Sequence, residues 1–156
     1  MGSVSLEKSR LYLDTCCFNR PFDRMYQDKI RFECDAVLTI IKKCDDGVID
    51  VLKSDILDEE IGRIPDLVKK LKVLMLYSSA TEHIEINEEI INRAKHFQQY
   101  SYIKPFDALH LATAEYANAD VFLTTDKKLL SLAWKSDTSI KVLNPTIWLM
   151  EVMFND

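Results

Sequence analysis

Short unbroken apolar runs alternate along this chain with longer stretches in which apolar residues recur every three or four positions. Leu11–Leu13 is a run that suits a strand buried on both faces. Thr15–Tyr26, with Asn19, Pro21 and several charges, reads as a loop. From Gln27 to Cys44, Ile30, Val37, Leu38 and Ile41 follow helical spacing, and Asp45, Asp46 and Gly47 close that helix with glycine as its left-handed cap. Val48–Leu52 is β-branched and predicts a second strand. Ser54 or Asp55 caps a short helix with Leu57, Ile61 and Ile64 on one face. Asp66–Leu76 continues as a helix with Leu67, Leu71 and Leu74 inward and its lysines outward.

His83–Ile86 is a short extended piece. Asn87 caps a helix over 88–100 whose core face carries Ile90, Ile91, Ala94 and Phe97. Pro105 suits the first position of the next helix and Asn118 its C-terminal cap. A strand over 120–125, a helix over 127–135, a strand over 140–143 and a helix over 145–154 complete the pattern. Strands alternating with helices predict an α/β fold, three-layer α/β/α around a central parallel sheet. The expected organisation is a polar lead-in over 1–10 and a single domain over 11–154.

Composition changes this picture little. The 156 residues are 47% hydrophobic and 29% charged, with 3 Gly and 4 Pro, the profile of an ordinary globular chain without long linkers. No apolar run reaches a membrane span and no segment has the order of a signal peptide, so the cytoplasm is the expected location and no membrane partner is expected. The four cysteines, Cys16, Cys17, Cys34 and Cys44, lack zinc-finger spacing and read as reduced thiols filling small apolar spaces. The net charge of −5 argues mildly against a nucleic-acid partner. Lysines nevertheless gather locally at Lys42–Lys43, Lys69–Lys70–Lys72 and Lys127–Lys128, although solvated helix faces are the simpler reading of each cluster.

Four acidic residues do change the picture. Asp14 closes the first apolar run, Asp126 ends the strand VFLTT, Asp107 lies in the first turn of FDALHLATAEYA, and Glu60 lies on SDILDEEI. Each alone reads as a cap, a dipole-stabilised first-turn carboxylate or a solvated helix residue. Together they sit where parallel α/β sheets concentrate function, at carboxyl ends of strands and the start of a neighbouring helix. If the fold joins them, their repulsion calls for a hard divalent cation, with Mg²⁺ or Mn²⁺ suited to oxygen donors.

On these residues the chain resembles the PIN-domain family, nuclease-like proteins that include the toxin of many bacterial toxin–antitoxin pairs. The resemblance runs from Leu11 to about Met150. LYLDTCCFNRPFD matches the family's opening strand with its aspartate, and SDILDEEI its serine-led helix ending in glutamate and an aliphatic residue. KPFDALHLATAEYANADVFLTTD, the most specific match, resembles its D-A-x-H-x-A helix followed by a strand ending in T-x-D. The resemblance implies Asp14, Glu60, Asp107 and Asp126 as the acidic cluster, with Asp14, Asp107 and Asp126 holding metal. Glu59 is a one-residue alternative to Glu60, about 100° away around the helix. Glu60 is preferred because Ile61 follows it.

The resemblance further implies a Mg²⁺- or Mn²⁺-dependent ribonuclease, an RNA substrate, an antitoxin protein as partner if the chain is a toxin, and hydrolysis assisted by the metal. Thr124 matches the polar residue before the last aspartate and is placed to hold a water or a carboxylate. His110, one turn from Asp107, flanks the site and is a candidate to contact substrate or bond a carboxylate, against a reading as a half-buried histidine satisfied by a neighbour. Arg20, Lys104 and Lys127 are candidate phosphate contacts, each against a reading as a plain surface cation. Phe18 and Phe22 are candidates to stack on bases, against core packing. The closing helix with Trp148 suits either a homodimer or the core. The alternative function is a catalytically inactive PIN-like module that binds RNA or protein. Two other acidic α/β classes are excluded by motif: the phosphoacceptor receiver needs Lys-Pro at the end of a late strand, and the haloacid-dehalogenase type needs Asp where this chain has Cys16.

Overall fold

A computed structural model describes residues 8–154. Most of the expected lead-in, residues 1–7, lies outside the described residues, and the first strand already begins at Arg10. The strands are β1 (Arg10–Leu13), β2 (Asp50–Ser54), β3 (Glu82–Ile84), β4 (Val121–Leu123) and β5 (Lys141–Leu143). They form one sheet in the order β3-β2-β1-β4-β5, with every neighbouring pair parallel. The helices are α1 (Thr15–Asn19), α2 (Asp28–Asp45), α3 (Asp55–Gly62), α4 (Leu67–Tyr77), α5 (Glu88–Ser101), α6 (Pro105–Tyr116), α7 (Lys127–Lys135) and α8 (Pro145–Phe154). The expected three-layer α/β/α architecture is present.

The strand order decides where chemistry can gather. The chain winds outward from β1 through β2 to β3, then returns to the other side of β1 for β4 and β5. The winding therefore reverses between β1 and β4, and in a parallel sheet such a switch point opens a crevice at the carboxyl ends. Leu11, Tyr12 and Leu13, and Phe122 and Leu123, are fully buried, which anchors both strands between helical layers.

Three local expectations are corrected. The expected loop over 15–26 begins with α1 and a 3-10 turn, Arg20–Phe22, because the Asp14 side chain accepts from Thr15 N and caps α1, and Pro21 starts the turn. The second strand runs over 50–54 rather than 48–52. Gly47 takes φ +77° at the end of α2, and Val48 N closes on Lys43 O, so Val48 belongs to the helix terminus and is exposed. On α4 the expected inward leucines are reversed: Leu67, Leu71 and Leu74 are exposed, and Val73 and Tyr77 are buried. Tyr77 fixes that rotation. Its ring packs edge-on against Phe18 and its hydroxyl bonds Asp58 Oδ1 at 2.6 Å. Asn118 takes φ +54° just past α6, the left-handed conformation its capping role requires.

Candidate active site

Asp14 follows directly on β1, at the switch point, and is almost fully buried. Its carboxylate is held from both sides. Oδ1 accepts from Thr15 N at 2.8 Å, and Oδ2 accepts from the Thr124 hydroxyl at 2.9 Å. The half-buried Cys16 thiol lies 3.5 Å from Oδ2. Thr124 follows β4 and also accepts from Asp126 N at 3.1 Å, so one hydroxyl ties the carboxyl ends of β1 and β4 together.

Glu60 reaches the same place from α3. Its Oε1 accepts from the Thr15 hydroxyl at 2.7 Å and from the His110 ring through a very short contact. Burial opposes its ionisation, yet the hydrogen bond and charge of His110, with help from Thr15, hold the carboxyl below its usual value. Glu59 points away and pairs with Arg63 at 2.8 Å on the surface. Ser54 at the end of β2 sets this register, because its hydroxyl caps α3 by accepting from Leu57 N at 3.1 Å.

His110 is fully buried and lies beside Glu60. Its Nδ1 lies 2.6 Å from the Tyr12 hydroxyl, which lies 2.7 Å from the Ser54 hydroxyl. Glu60 Oε1 can only accept, so the proton of that short contact sits on Nε2. Such a histidine orients the glutamate, and its Nε2 lone pair is not free for a metal. Sequence reasoning missed Tyr12, Thr15 and Ser54. The signal was a tyrosine inside an otherwise aliphatic buried strand, whose hydroxyl must find a partner.

Asp14, Glu60 and His110 each place a donor atom within 4.8 Å of the others. Asp107 and Asp126 do not join that tight group. Asp107, half-buried in the first turn of α6, is pushed up to about 6 by burial and then by the charge of Asp14, with smaller contributions from Asp126 and Glu60. All four acids therefore share one electrostatic field. Asp126 is exposed and uses Oδ1 to cap α7, accepting from Lys128 N and Leu129 N.

The raised Asp107 value fixes a pH dependence. In the unfolded chain an aspartate loses its proton near pH 3.9. Between about pH 4 and pH 6 the folded protein therefore holds a proton that the unfolded chain has released. Stability then falls as pH rises through that window. Urea unfolding in EDTA across pH 4–7 is expected to show this decline, and Asp107→Asn is expected to flatten it. Wild-type and Asp107→Asn curves that run parallel across that window would contradict the assignment.

The other expected contacts divide. Lys104 is exposed immediately before α6, near Asp107 in sequence. Arg20 is engaged elsewhere: its Nε lies 2.9 Å from Glu33 Oε1 and its Nη1 3.0 Å from Asp23. Phe18 is fully buried and Phe22 packs on the core, so neither is offered to a base. Trp148 is buried and joins the core. The cysteines are all free thiols, three of them buried. His83 and His96 lie 2.7 Å from Asp55 and 2.9 Å from Asp137, surface contacts of small energetic weight.

Known proteins share this arrangement of strands and helices. FitAcB from Neisseria gonorrhoeae superposes with a TM-score of 0.55 at 19% identity, over 86% of this chain and 97% of that one. VapBC2 from Rickettsia felis, solved bound to a DNA fragment from their promoter, superposes with a TM-score of 0.59 at 13% identity, over 86% and 97%. At such identities these likenesses speak for the fold alone. No curated protein matches in sequence. The sequence model of the PIN domain, however, matches residues 11–135, a span that contains β1 from Leu11 onward, β4 and all four acids. The chain belongs to the PIN-domain family, whose members are generally nucleases.

Proposed function

We propose that this chain is a Mg²⁺- or Mn²⁺-dependent endoribonuclease and the toxin of a toxin–antitoxin pair. The observation that carries the reading is the convergence of Asp14 and Glu60, held by Thr124, Thr15 and His110, in a field that also raises Asp107. Carboxylate oxygens suit a hard divalent cation, so the donor set fits the metal that the family implies. Asp14 and Glu60 would hold it, with Asp107 and Asp126 completing the acidic rim. When bound, the cation supplies Lewis-acid polarisation of the phosphoryl group and eases deprotonation of the attacking water.

The protein's own side chains do the rest. Thr124 and Thr15 fix the carboxylates before substrate arrives, so no reorganisation is needed during reaction. Both bonds to Glu60 fall on Oε1, which leaves Oε2 for the ion. His110 acts as a positioning residue through Glu60. Asp107, pushed up to about 6, is suited to give up a proton when a cation arrives. Lys104 and Lys127 are suited to meet substrate phosphates.

The partner reading rests on the family and on a surface. Leu67, Val68, Leu71 and Met75 of α4 are exposed together, an apolar face suited to a protein partner. We assign it first to an antitoxin and second to another copy of this chain. An antitoxin covering the acidic cleft would offset its charge best with an arginine.

A mixed RNA pool with Mn²⁺ tests the central claim. Cleavage is expected for the wild type, none in EDTA, and a large loss in Asp126→Asn. RNA binding without cleavage under any divalent ion would instead identify the inactive module. Mn²⁺ is also expected to stabilise the fold, by about 2.7 kcal/mol at a hundred times its Kd. For a domain of this size that corresponds to a rise in Tm of about 5–11 °C. An unchanged Tm at millimolar Mn²⁺ would count against the metal site.

A further inference from the structure

Beside the acidic cleft, at the carboxyl end of β5, α2, α7 and α8 enclose an open groove of about 460 Å³. Its walls are apolar at Phe32, Leu130 and Ile147 and cationic at Lys29 and Lys127. Because β5 pairs with β4, and β4 with β1, the groove lies along the same sheet edge as Asp14 and Asp126. Neighbouring strands are about 4.8 Å apart, so it sits roughly a nucleotide's reach from the carboxylates.

We propose that this groove binds a nucleotide flanking the scissile bond of a single-stranded RNA, with its base against Phe32 and its phosphate between Lys29 and Lys127. The proposal rests on the nuclease reading above and adds the path of the strand.

Three observations favour a nucleic acid over a protein segment. Phe32 is 59% exposed on the side of α2 that borders the groove, a large aromatic with no role in the core. An exposed aromatic beside cations is the combination that stacks bases without reading their sequence. Lys127 stands in the first turn of α7, where the helix dipole disfavours a cation, and has no carboxylate within 4 Å among the described residues. A substrate phosphate would supply the missing countercharge. Glu33, the acid in the lining, is spent: it is buried, with Oε1 on Arg20 and Oε2 on Asn144 at 2.5 Å. Lys29 lies 3.8 Å from it and stays 43% exposed.

The test is fluorescence anisotropy with a short, unstructured, labelled single-stranded RNA in EDTA, with wild type, Phe32→Ala and Lys127→Gln. Melting curves confirm that both variants fold. Phe32→Ala is expected to weaken binding by about 5- to 100-fold, the loss of one stacked base. Lys127→Gln is expected to reduce the slope of log K against log salt by about 0.7, one phosphate fewer on a single strand. Cleavage of the RNA pool by the wild type runs in parallel. If the wild type cuts RNA while both variants bind as tightly as it does, the groove assignment is overturned and the nuclease reading stands. If the wild type neither binds nor cuts RNA, both fall. If the variants bind RNA normally but change the protein's oligomeric state, the groove belongs to a protein contact and the proposal fails.

Discussion

Asp14→Asn is expected to lower Mn²⁺-dependent RNA cleavage by at least about a hundredfold while leaving the fold intact. Even residues that only support a metal ligand change affinity or activity about 10–100-fold. Asp14 is nearer the chemistry than that, since its carboxylate lies within 4.8 Å of the donors of Glu60 and His110. The fold survives for a local reason. Asparagine keeps an oxygen to accept from Thr15 N, and the Thr124 hydroxyl can turn from donor to acceptor toward the new amide. Removing a buried negative charge also relieves Asp107, whose carboxyl should titrate below its present value of about 6. Cleavage rates and a urea melt of the same preparation are the measurements. A folded Asp14→Asn protein that cuts RNA at the wild-type rate would remove Asp14 from the site.

Arg20→Met is expected to destabilise the protein by about 3 kcal/mol, because it leaves Glu33 as a buried charge without its main partner. The Glu33 side chain is 1% exposed, so water cannot replace the guanidinium. The estimate sits at the low end of the 3–5 kcal/mol range for broken buried pairs, because Asn144 still donates to Oε2 and Lys29 remains nearby. The shift in Tm should be about 6–12 °C downward for a domain of this size. Replacing both partners, as Arg20→Met with Glu33→Leu, should recover much of the loss. This outcome separates two roles. A phosphate-binding Arg20 would cost RNA affinity and spare Tm, whereas the ion pair described here predicts the reverse.

How much of this was legible beforehand follows from the range of the interactions involved. The acidic positions could be located in the sequence because strand ends and helix starts carry local signals: an apolar run that stops, a proline, a cap. The choice of Glu60 over Glu59 needed a helical rotation. Ser54 sets that rotation by capping α3, and the aliphatic Ile61 fixes the buried face beside it. On α4 the same periodicity points to the wrong face. Three leucines at helical spacing suggested a core face, but Tyr77 and Val73 occupy it, because a tyrosine that packs on Phe18 and bonds Asp58 gains more from burial than its spacing reveals.

Arg20 and the loop phenylalanines show the same boundary. Proximity to Asp14 in sequence made them candidate substrate contacts, against readings as a surface cation and as core packing. In the fold Arg20 turns to Glu33, thirteen residues on, and Phe18 turns inward. Phe32, by contrast, faces solvent from α2, although nothing in its own neighbourhood of sequence distinguishes it from a core residue of that helix.

The sequence by itself determined the alternation of strands and helices, the parallel sheet and the places of the four carboxylates, since each depends on residues within a few positions of one another. Tertiary structure alone decided that β4 pairs with β1, that Thr124 therefore reaches Asp14 across 110 positions, and that Tyr12, Ser54 and His110 join into one relay behind Glu60. Those pairings depend on strand order, and strand order is set by how the whole core packs rather than by any short stretch of chain.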